Sequence, residues 1–407
     1  MCPNHTELGA RASLALCLHL PILQPSPRSQ TAAVVLAGFC AFLTIYAPQP
    51  LLPLLALEFR TSAAAISLVM TATTAGVMTA APFVGLVADR FGRKRVIVPA
   101  AFLMGLPATL AATSTGLHSL LFWRFWQGIL TPGIAAVTIA YINEEWETGA
   151  GAAMSTYVTG TVLGGFSGRM IAALVASHAS WRWSFVTLGL LNAAGAAAMW
   201  AWLPAGRHFH RGRFSLAAAA QDMARHLRNP RLLAACAVGF CVLFTLIATF
   251  TYVNFYLAAP PFRLGTQALG LLFTVYLVGI VVMPFAGRSI DRVGHRSALV
   301  ASFAAGIAGI LLTLFQSLPA VILGLAILST GVFVTQAATS SYIGVAARDA
   351  RASAVGLYTV FYYAGGTLGS ALPGWFWIRG GWPACVALIV VVQALTIALA
   401  VRRGRPG

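Results

Sequence analysis

The chain has 407 residues, of which 59% are hydrophobic and only 9% are charged, and its formal net charge is +17. Soluble domains carry about 25% charged residues, so this composition excludes an ordinary soluble protein and indicates a polytopic membrane protein. The basic residues lie in short clusters between apolar runs instead of lining one face, which argues against nucleic acid as a partner.

Residues 1–31 come before the first segment that could span a membrane. The apolar stretch at 12–23 is too short to cross a bilayer. Only Arg11 precedes it and no A-x-A-like cleavage site follows, so a signal peptide is disfavoured. We expect a disordered cytoplasmic tail, or residues translated from an upstream start codon.

Twelve apolar segments of spanning length follow the tail. They lie at 32–57, 65–88, 96–114, 118–142, 151–176, 183–203, 232–258, 267–287, 298–316, 318–341, 352–376 and 383–401. One long polar stretch, rich in arginine and histidine, separates the sixth segment from the seventh. The predicted domains are a six-helix bundle at 32–203, a cytoplasmic linker at 204–231, a second six-helix bundle at 232–401 and a tail at 402–407.

Arginine and lysine are distributed unevenly between the two sides of this arrangement. On one side, which we call the arginine-rich side, they fill the turns at 89–95 and 288–297, the linker and the carboxyl tail. The loops of the opposite, arginine-poor side contain only Arg60, Arg182, Arg263 and Arg379. Because basic loops remain in the cytoplasm, both termini are predicted to be cytoplasmic.

The turn from Gly85 to Arg95 carries the densest set of charges in the chain. These charges cannot enter hydrocarbon without a large penalty, so we expect a tight hairpin at the membrane surface. The glycines of this hairpin let the backbone turn, and Asp89 offers an acceptor where charged side chains and helix ends meet.

The second half of the sequence repeats the first. The stretch from Gly287 to Arg296 aligns with that from Gly85 to Lys94 at a shift of 202. Further matches share a shift of 201 and pair Tyr157, Gly164, Gly165, Gly168 and Trp181 with Tyr358, Gly365, Gly366, Gly369 and Trp382. The repeat predicts an all-α membrane protein with twelve transmembrane helices in two pseudo-symmetric six-helix bundles.

These motifs resemble the signatures of the major facilitator superfamily. The loop signature of this family is G-x-L-x-D-R-x-G-R-K/R. The first half matches it, with a difference of one residue in the spacing after Leu86, at Gly85, Leu86, Asp89, Arg90, Gly92, Arg93 and Lys94. The second half matches it more weakly, at Gly287, Asp291, Arg292 and Gly294. The fourth span has R-x-x-Q-G at Arg124 to Gly128, and the fifth is similar to the glycine-rich antiporter motif from Gly160 to Arg169. The antiporter motif usually has proline where this chain has Gly165, and a small residue where this chain has Arg169.

Three stretches resemble bacterial inner-membrane exporters of the sugar-efflux and drug-efflux-like branch more closely. They are Gln49 to Pro53, Glu144 with Glu145, and Gly164 to Arg169. This resemblance implies a secondary transporter in the plasma membrane that exports a small organic solute by alternating access, in antiport with protons. Facilitated transport without protons and uptake by symport remain alternatives.

The resemblance also implies that the first charged turn is a gating latch. Asp89 would accept hydrogen bonds from the N–H groups at the start of the eleventh span, near Ala352 and Ser353. Arg90 and its neighbours would pair with an acid at the end of the fourth span, namely Glu144, Glu145 or Glu147. The alternative is that these charges only fix topology.

Arg124 and Arg169 lie at similar depth inside adjacent spans, which is costly for a charge. Gln127 shares a helix face with Arg124. Their expected partners are backbone carbonyls, water, Glu58 or an anionic substrate, with Arg124 the better candidate for coupling. No acidic residue lies deep in any span, which favours a neutral or anionic solute over a cation.

Several polar and aromatic residues are candidates for the cavity wall, although each alone is more often an interhelical contact. They are Tyr46, Gln49, Tyr157, Tyr252, Asn254, Gln336, Tyr358 and Tyr362. The glycines at 160, 164, 165 and 168 are expected to permit close helix packing, because the four-residue spacing of Gly160, Gly164 and Gly168 makes one smooth face.

The sequence offers little support for other classes of site. Histidines fall in loops, tail or helix ends and cysteines show no paired spacing, so we expect no metal and no cofactor. A polytopic membrane enzyme would need a nucleophile, an acid pair or a metal cluster at one interface, and none is visible. The expected partners are a small solute, protons and the lipid bilayer, and we expect the protein to be a monomer.

Overall fold

A computed structural model describes residues 27–146, 148–206, 221, 223–278, 294–346 and 351–403. All regular elements in these ranges are helical. Residues 1–26 of the predicted tail, most of the linker, Glu147, Gly287, Asp291 and Arg292 lie outside the described residues. Residues 27–31, predicted to belong to the disordered tail, instead form the start of the first helix.

The main helices follow the predicted spans along the chain. They are α1 (Pro27–Leu43), α2 (Leu52–Glu58), α3 (Ala63–Phe91), α4 (Lys94–Leu110), α5 (Leu117–Glu145), α6 (Ala150–His178), α7 (Trp181–Trp202), α8 (Pro230–Ala258), α9 (Thr266–Leu271), α10 (His295–Leu312), α11 (Leu318–Ala346) and α12 (Arg351–Arg403). Short 3-10 turns lie at Gln49–Leu51, Ala111–Thr113 and Leu272–Tyr276. The backbone of α12 leaves the helical region at Gly380 and Gly381, so α12 consists of two successive helices.

Eight helical segments of the described chain are long and apolar enough to cross a bilayer, and α12 is counted there as one. Shorter apolar helices lie at Arg28–Leu43, Thr266–Tyr276 and Ser297–Leu312. The count of twelve spans stays a prediction, since the predicted eighth span runs into residues that the structure does not describe. Large apolar side chains such as Leu190, Trp200 and Phe315 are exposed, as expected for a surface that faces lipid.

The buried apolar side chains form clusters with different memberships. The largest cluster combines residues of both halves of the chain, such as Ile45 and Val69 from the first and Phe250 and Phe273 from the second. A separate cluster, to which Ile97 belongs, contains residues of the first half only. The two halves therefore share apolar packing where the first cluster lies, near the arginine-poor ends of their helices.

A glycine seam joins α6 to α1. A methyl group placed on Gly160, Gly164 or Gly168 would overlap the backbone of α1, at Val35, Phe39 and Leu43 respectively. These glycines let the two backbones approach to a distance that any side chain would prevent.

The second half contains the same seam between α12 and α8. Gly365 and Gly369 meet the backbone at Phe240 and Phe244, and each of these four positions is 201 residues beyond its counterpart in the first seam. Two hydrogen bonds repeat at the same shift: the Tyr157 hydroxyl donates to the position 135 carbonyl (3.2 Å) and the Tyr358 hydroxyl to the position 336 side chain (3.1 Å). The internal repeat of the sequence is therefore also a repeat of packing.

The seam predicts opposite effects for one substitution at two glycines of α6. Gly164→Ala should lower the free energy of unfolding by about 1–3 kcal/mol, because the added methyl group overlaps the α1 backbone. Gly151→Ala, where a methyl group meets nothing within 4 Å, should be neutral or stabilising by up to about 1 kcal/mol. Melting of the detergent-purified protein measures both, and equal melting temperatures for the two variants would contradict the seam.

Candidate functional site

The first span is broken between α1 and α2, where the sequence contains Pro48 and Pro50, and Pro53 follows in the first turn of α2. Proline has no N–H, so Pro48 cannot bond the carbonyl four residues earlier, at Thr44. The N–H of Gln49 donates to the Tyr46 carbonyl, three residues earlier, in a 3-10 hydrogen bond of 3.1 Å. The Ile45 carbonyl, four residues before Gln49, is therefore left without a helical partner. Two adjacent carbonyls therefore need a donor inside the membrane.

Arg124 of α5 supplies that donor. Its guanidinium is fully buried; Nη1 donates to the Thr44 carbonyl (2.9 Å) and Nη2 to the Ile45 carbonyl. Nη1 also donates to Oε1 of Gln127. Backbone carbonyls are among the partners expected for Arg124, and they are the ones that the structure shows. Through these bonds Arg124 holds the unwound segment 44–48 in place.

Gly128, the last residue of the R-x-x-Q-G motif, sets the position of Arg124. A methyl group at Gly128 would overlap the α3 backbone at Thr73, and one at Gly76 would overlap the α5 backbone at Phe125. This close approach of α3 and α5 fixes the helix that carries the arginine.

Arg169 of α6 lies on the other side of the same unwound segment and is 2% exposed. Its Nε donates to Oε1 of Gln49 (2.8 Å) and its Nη1 donates to the Gly165 carbonyl (2.6 Å). Three aromatic rings surround the guanidinium, with centroids 4.9 Å (Tyr46), 4.6 Å (Phe273) and 4.9 Å (Tyr276) from its central carbon. We call these three rings the aromatic box.

The aromatic box joins the two halves of the chain. Tyr46 belongs to the first half, whereas Phe273 and Tyr276 lie in the 3-10 turn that follows α9. Cationic guanidinium groups are attracted to the faces of aromatic rings, and the attraction strengthens when the pair is shielded from water.

A second contact between the halves consists of hydroxyl groups on α3, α8 and α12. Ser67 and Tyr252 share a hydrogen bond of 2.7 Å, and the one that does not donate to the other can donate to the Ser370 carbonyl, at 3.1 Å from Ser67 and 2.9 Å from Tyr252. The hydroxyls of Thr71 and Ser370 are 2.7 Å apart, and Thr367 donates to Thr74 (3.1 Å). These bonds lie near the arginine-poor ends of α3 and α12. The aromatic box likewise lies near the arginine-poor end of α6.

The other predicted cavity residues are placed in different surroundings. Tyr358 stacks on Tyr362 with a centroid distance of 5.8 Å, and Tyr362 packs edge-on against Tyr363 (5.4 Å). Asn254 is fully buried and donates to the Phe250 carbonyl of its own helix (2.5 Å). The tyrosines therefore form a cluster on α12, whereas Tyr252 and Asn254 belong to interhelical and intrahelical contacts.

The charged turn of the arginine-rich side is held by Arg93. Its Nη1 contacts the Asp89 carboxylate (2.7 Å) and its Nη2 contacts Glu144 (2.5 Å), so a neighbour of Arg90 makes the predicted pairing with α5. Burial disfavours the charged form of Arg93, but the bond to Glu144 and the nearby carboxylates outweigh it and raise the guanidinium pKa. Arg90 itself lies over the Phe91 ring (5.7 Å).

The backbone conformation of Gly92 is repeated at its counterpart in the second half. Gly92 has φ +95° and ψ 149°, and Gly294, 202 residues later, has φ +79° and ψ 152°. Residues with a side chain rarely adopt this backbone conformation, which explains why both positions have glycine.

Glu58 is separate from the buried arginines. Its carboxylate accepts from Arg182 (3.1 Å) at the exposed start of α7, and this hydrogen bond lowers the pKa of Glu58. Within the described ranges, no group of three or more histidine, cysteine or acidic side chains could hold a metal ion.

The profile of the Major Facilitator Superfamily matches residues 34–265 and 245–407. The chain belongs to this superfamily. It is 31% identical over 376 residues to the inner membrane transport protein YnfM of Escherichia coli K12, across 92% of this chain and 90% of that one. It is 30% identical over 374 residues to the uncharacterized MFS-type transporter YybF of Bacillus subtilis 168, across 92% and 93%.

Among solved structures, the human organic anion transporter MFSD10 superposes with a TM-score of 0.73 at 18% identity, covering 93% of this chain and 100% of that one. This likeness confirms the all-α fold of the superfamily. The protein is therefore a multi-pass membrane transporter, as the motifs predicted.

Sequence reasoning misses residues through which the halves meet. Phe273 and Tyr276 are not among the predicted site residues, and neither are Thr71 and Ser370. The shift of the repeat offers one signal, because Ser370 lies 201 residues after the predicted site residue Arg169.

Loss of Arg124 should destabilise this major facilitator strongly. Arg124→Gln removes the donor of the Thr44 and Ile45 carbonyls and should lower the free energy of unfolding by about 3 kcal/mol. Arg182→Gln, which removes an arginine from an exposed ion pair, should cost at most about 1 kcal/mol. Urea or thermal unfolding of both variants in the same detergent tests the difference; similar losses would show that Arg124 does not hold the segment.

Proposed function

We propose that this major facilitator exports a small neutral or anionic organic solute by alternating access, in antiport with protons. It would lie in the plasma membrane with both termini in the cytoplasm. The observation that supports the solute class is the pair of buried guanidinium groups, Arg124 and Arg169, neither of which contacts a carboxylate of the described chain.

Two uncompensated positive charges near the contact of the halves produce a positive potential there. A cationic solute would be repelled and would find no buried acid among the described side chains. A neutral solute could use the tyrosine cluster, and an anion would in addition gain electrostatic energy.

The proposed gate is the charged turn of the arginine-rich side. Asp89 and Glu144 both contact Arg93, which ties α3 and α5 of the first half together. Asp89 is 47% exposed and could accept a further bond from the start of α12 when the arginine-rich side closes.

Facilitated transport without protons is the second candidate. It is supported by the positions of Asp89 and Glu58, whose side chains are 47% and 42% exposed and pair with Arg93 and Arg182. Neither acid is buried beside Arg124 or Arg169.

Solute-induced pH change in inverted vesicles distinguishes these functions. Energised vesicles with an acid lumen would receive sugars, organic anions and cationic dyes in turn, with Arg124→Ala as the inactive control. We expect a neutral or anionic solute to raise the luminal pH only with the unmodified protein. Solute uptake without pH change would favour facilitated transport, and a response to cationic dyes alone would contradict the proposed solute class.

Asp89→Asn should lower transport at least tenfold in the same vesicles without reducing membrane insertion. The substitution keeps the size of the side chain but removes the negative charge, and the Arg93–Glu144 pair that holds α3 to α5 remains. Asp89→Glu, which keeps the charge, should retain more activity than Asp89→Asn. Unchanged transport by Asp89→Asn would remove Asp89 from the gate.

A further inference from the structure

The surroundings of Arg169 contain hydrogen-bonding capacity that the protein does not use. Among the described residues its Nη2 donates to none, because the two hydrogen bonds come from Nε and Nη1. The Nε2 of Gln49 and the hydroxyl of Tyr276 are also buried without a partner in the described chain. All three residues are more than nine-tenths buried, where an unsatisfied polar group is costly.

The orientation of the Gln49 amide follows from its bond to Arg169. Arg169 Nε can only donate, so the atom facing it at 2.8 Å must be the amide oxygen. The amide nitrogen is then a donor directed away from the guanidinium. Nη2 of Arg169 and Nε2 of Gln49 can therefore only donate hydrogen bonds. The Tyr276 hydroxyl can either donate or accept one.

The internal repeat shows that an arginine is not needed to hold the halves together here. Ser370 is the counterpart of Arg169 at a shift of 201, and Thr71 and Thr74 are the counterparts of Phe273 and Tyr276 at a shift of 202. The counterpart contact uses neutral hydroxyls that satisfy one another, at 2.7 and 3.1 Å. One of two equivalent contacts thus contains a buried charge and unused donors, and the other does not.

We propose that Arg169, Gln49 and Tyr276 form a subsite for the carboxylate of a planar or aromatic organic acid. This inference rests on the proposed transport function and narrows its solute class. A carboxylate has two acceptor oxygens and one negative charge, which match a set of donors around a guanidinium that has no acidic partner. The rings of the aromatic box provide flat apolar surface for the rest of the solute.

The subsite is complete only when the halves meet on the arginine-poor side. Arg169 and Gln49 belong to the first half and Tyr276 to the second. A carboxylate that contacts all three therefore favours the closed arrangement on this side, as a transported solute must favour one state over the other.

The test is binding of benzoate, with benzamide as its neutral counterpart of similar shape, to the full chain in lipid nanodiscs. Isothermal titration and shifts of the melting temperature should detect binding of benzoate. Benzamide should bind at least tenfold more weakly. Tyr276→Phe, which keeps the ring and loses the hydroxyl, should weaken benzoate about tenfold. Gln49→Glu, which places an internal carboxylate beside Arg169, should weaken benzoate about 100-fold while the protein still folds.

Two control variants separate the subsite from general effects. Tyr141→Phe removes a hydroxyl that donates to the Pro204 carbonyl at the end of the first half and should leave benzoate binding within twofold, as should Arg182→Gln on the arginine-poor surface. Equal affinity for benzoate and benzamide, or benzoate binding that is unchanged in both Tyr276→Phe and Gln49→Glu, would overturn the subsite.

The vesicle experiment keeps the two proposals distinguishable. Transport of a solute by a protein whose benzoate binding does not depend on Gln49 and Tyr276 would retain the transport proposal and reject the subsite. Benzoate binding that depends on both residues, in a protein that moves no solute, would reject the transport proposal and retain the subsite.

Discussion

Two backbone carbonyls inside the membrane determine how the centre of this protein is arranged. Pro48 leaves the Thr44 carbonyl without its helical donor, and the 3-10 turn that follows leaves the Ile45 carbonyl free. An unsatisfied carbonyl in hydrocarbon costs several kcal/mol, so the broken helix is stable only because Arg124 donates to both. The segment fixed in this way places Tyr46 and Gln49 against Arg169.

The two buried arginines therefore have different surroundings and different consequences. Nη1 and Nη2 of Arg124 donate to the backbone and to Gln127, which makes this residue a brace for the unwound segment. The guanidinium of Arg169 bonds one side chain and one carbonyl and has rings of both halves around it. No carboxylate of the described chain neutralises either charge, and the proposed carboxylate subsite is built on Arg169 because residues of both halves meet there.

The structure contains one packing scheme twice, with a difference where the two halves meet. The glycine seams, the tyrosine hydrogen bonds and the glycine turns recur at shifts of 201 or 202 residues. The contacts between the halves recur too, but hydroxyls form one and the arginine with its aromatic box forms the other. In the proposed function, a solute would act on the contact that contains Arg169 while the hydroxyl contact on the same side holds the halves together.

The sequence alone determined the all-α membrane fold, the internal repeat, the small-residue face of α6 and the burial of Arg124 and Arg169, and its motifs indicated the superfamily by resemblance. The apolar spans, the glycine face and the buried charges follow from length, spacing and charge along single helices, which are local properties. The tertiary structure decided that Arg124 bonds Thr44 and Ile45, that Glu58 pairs with Arg182, and that Phe273 and Tyr276 reach Arg169. Such partners are 79 to 124 residues apart in the chain, and for a buried charge only the folded arrangement selects which of many possible groups lies within hydrogen-bonding distance.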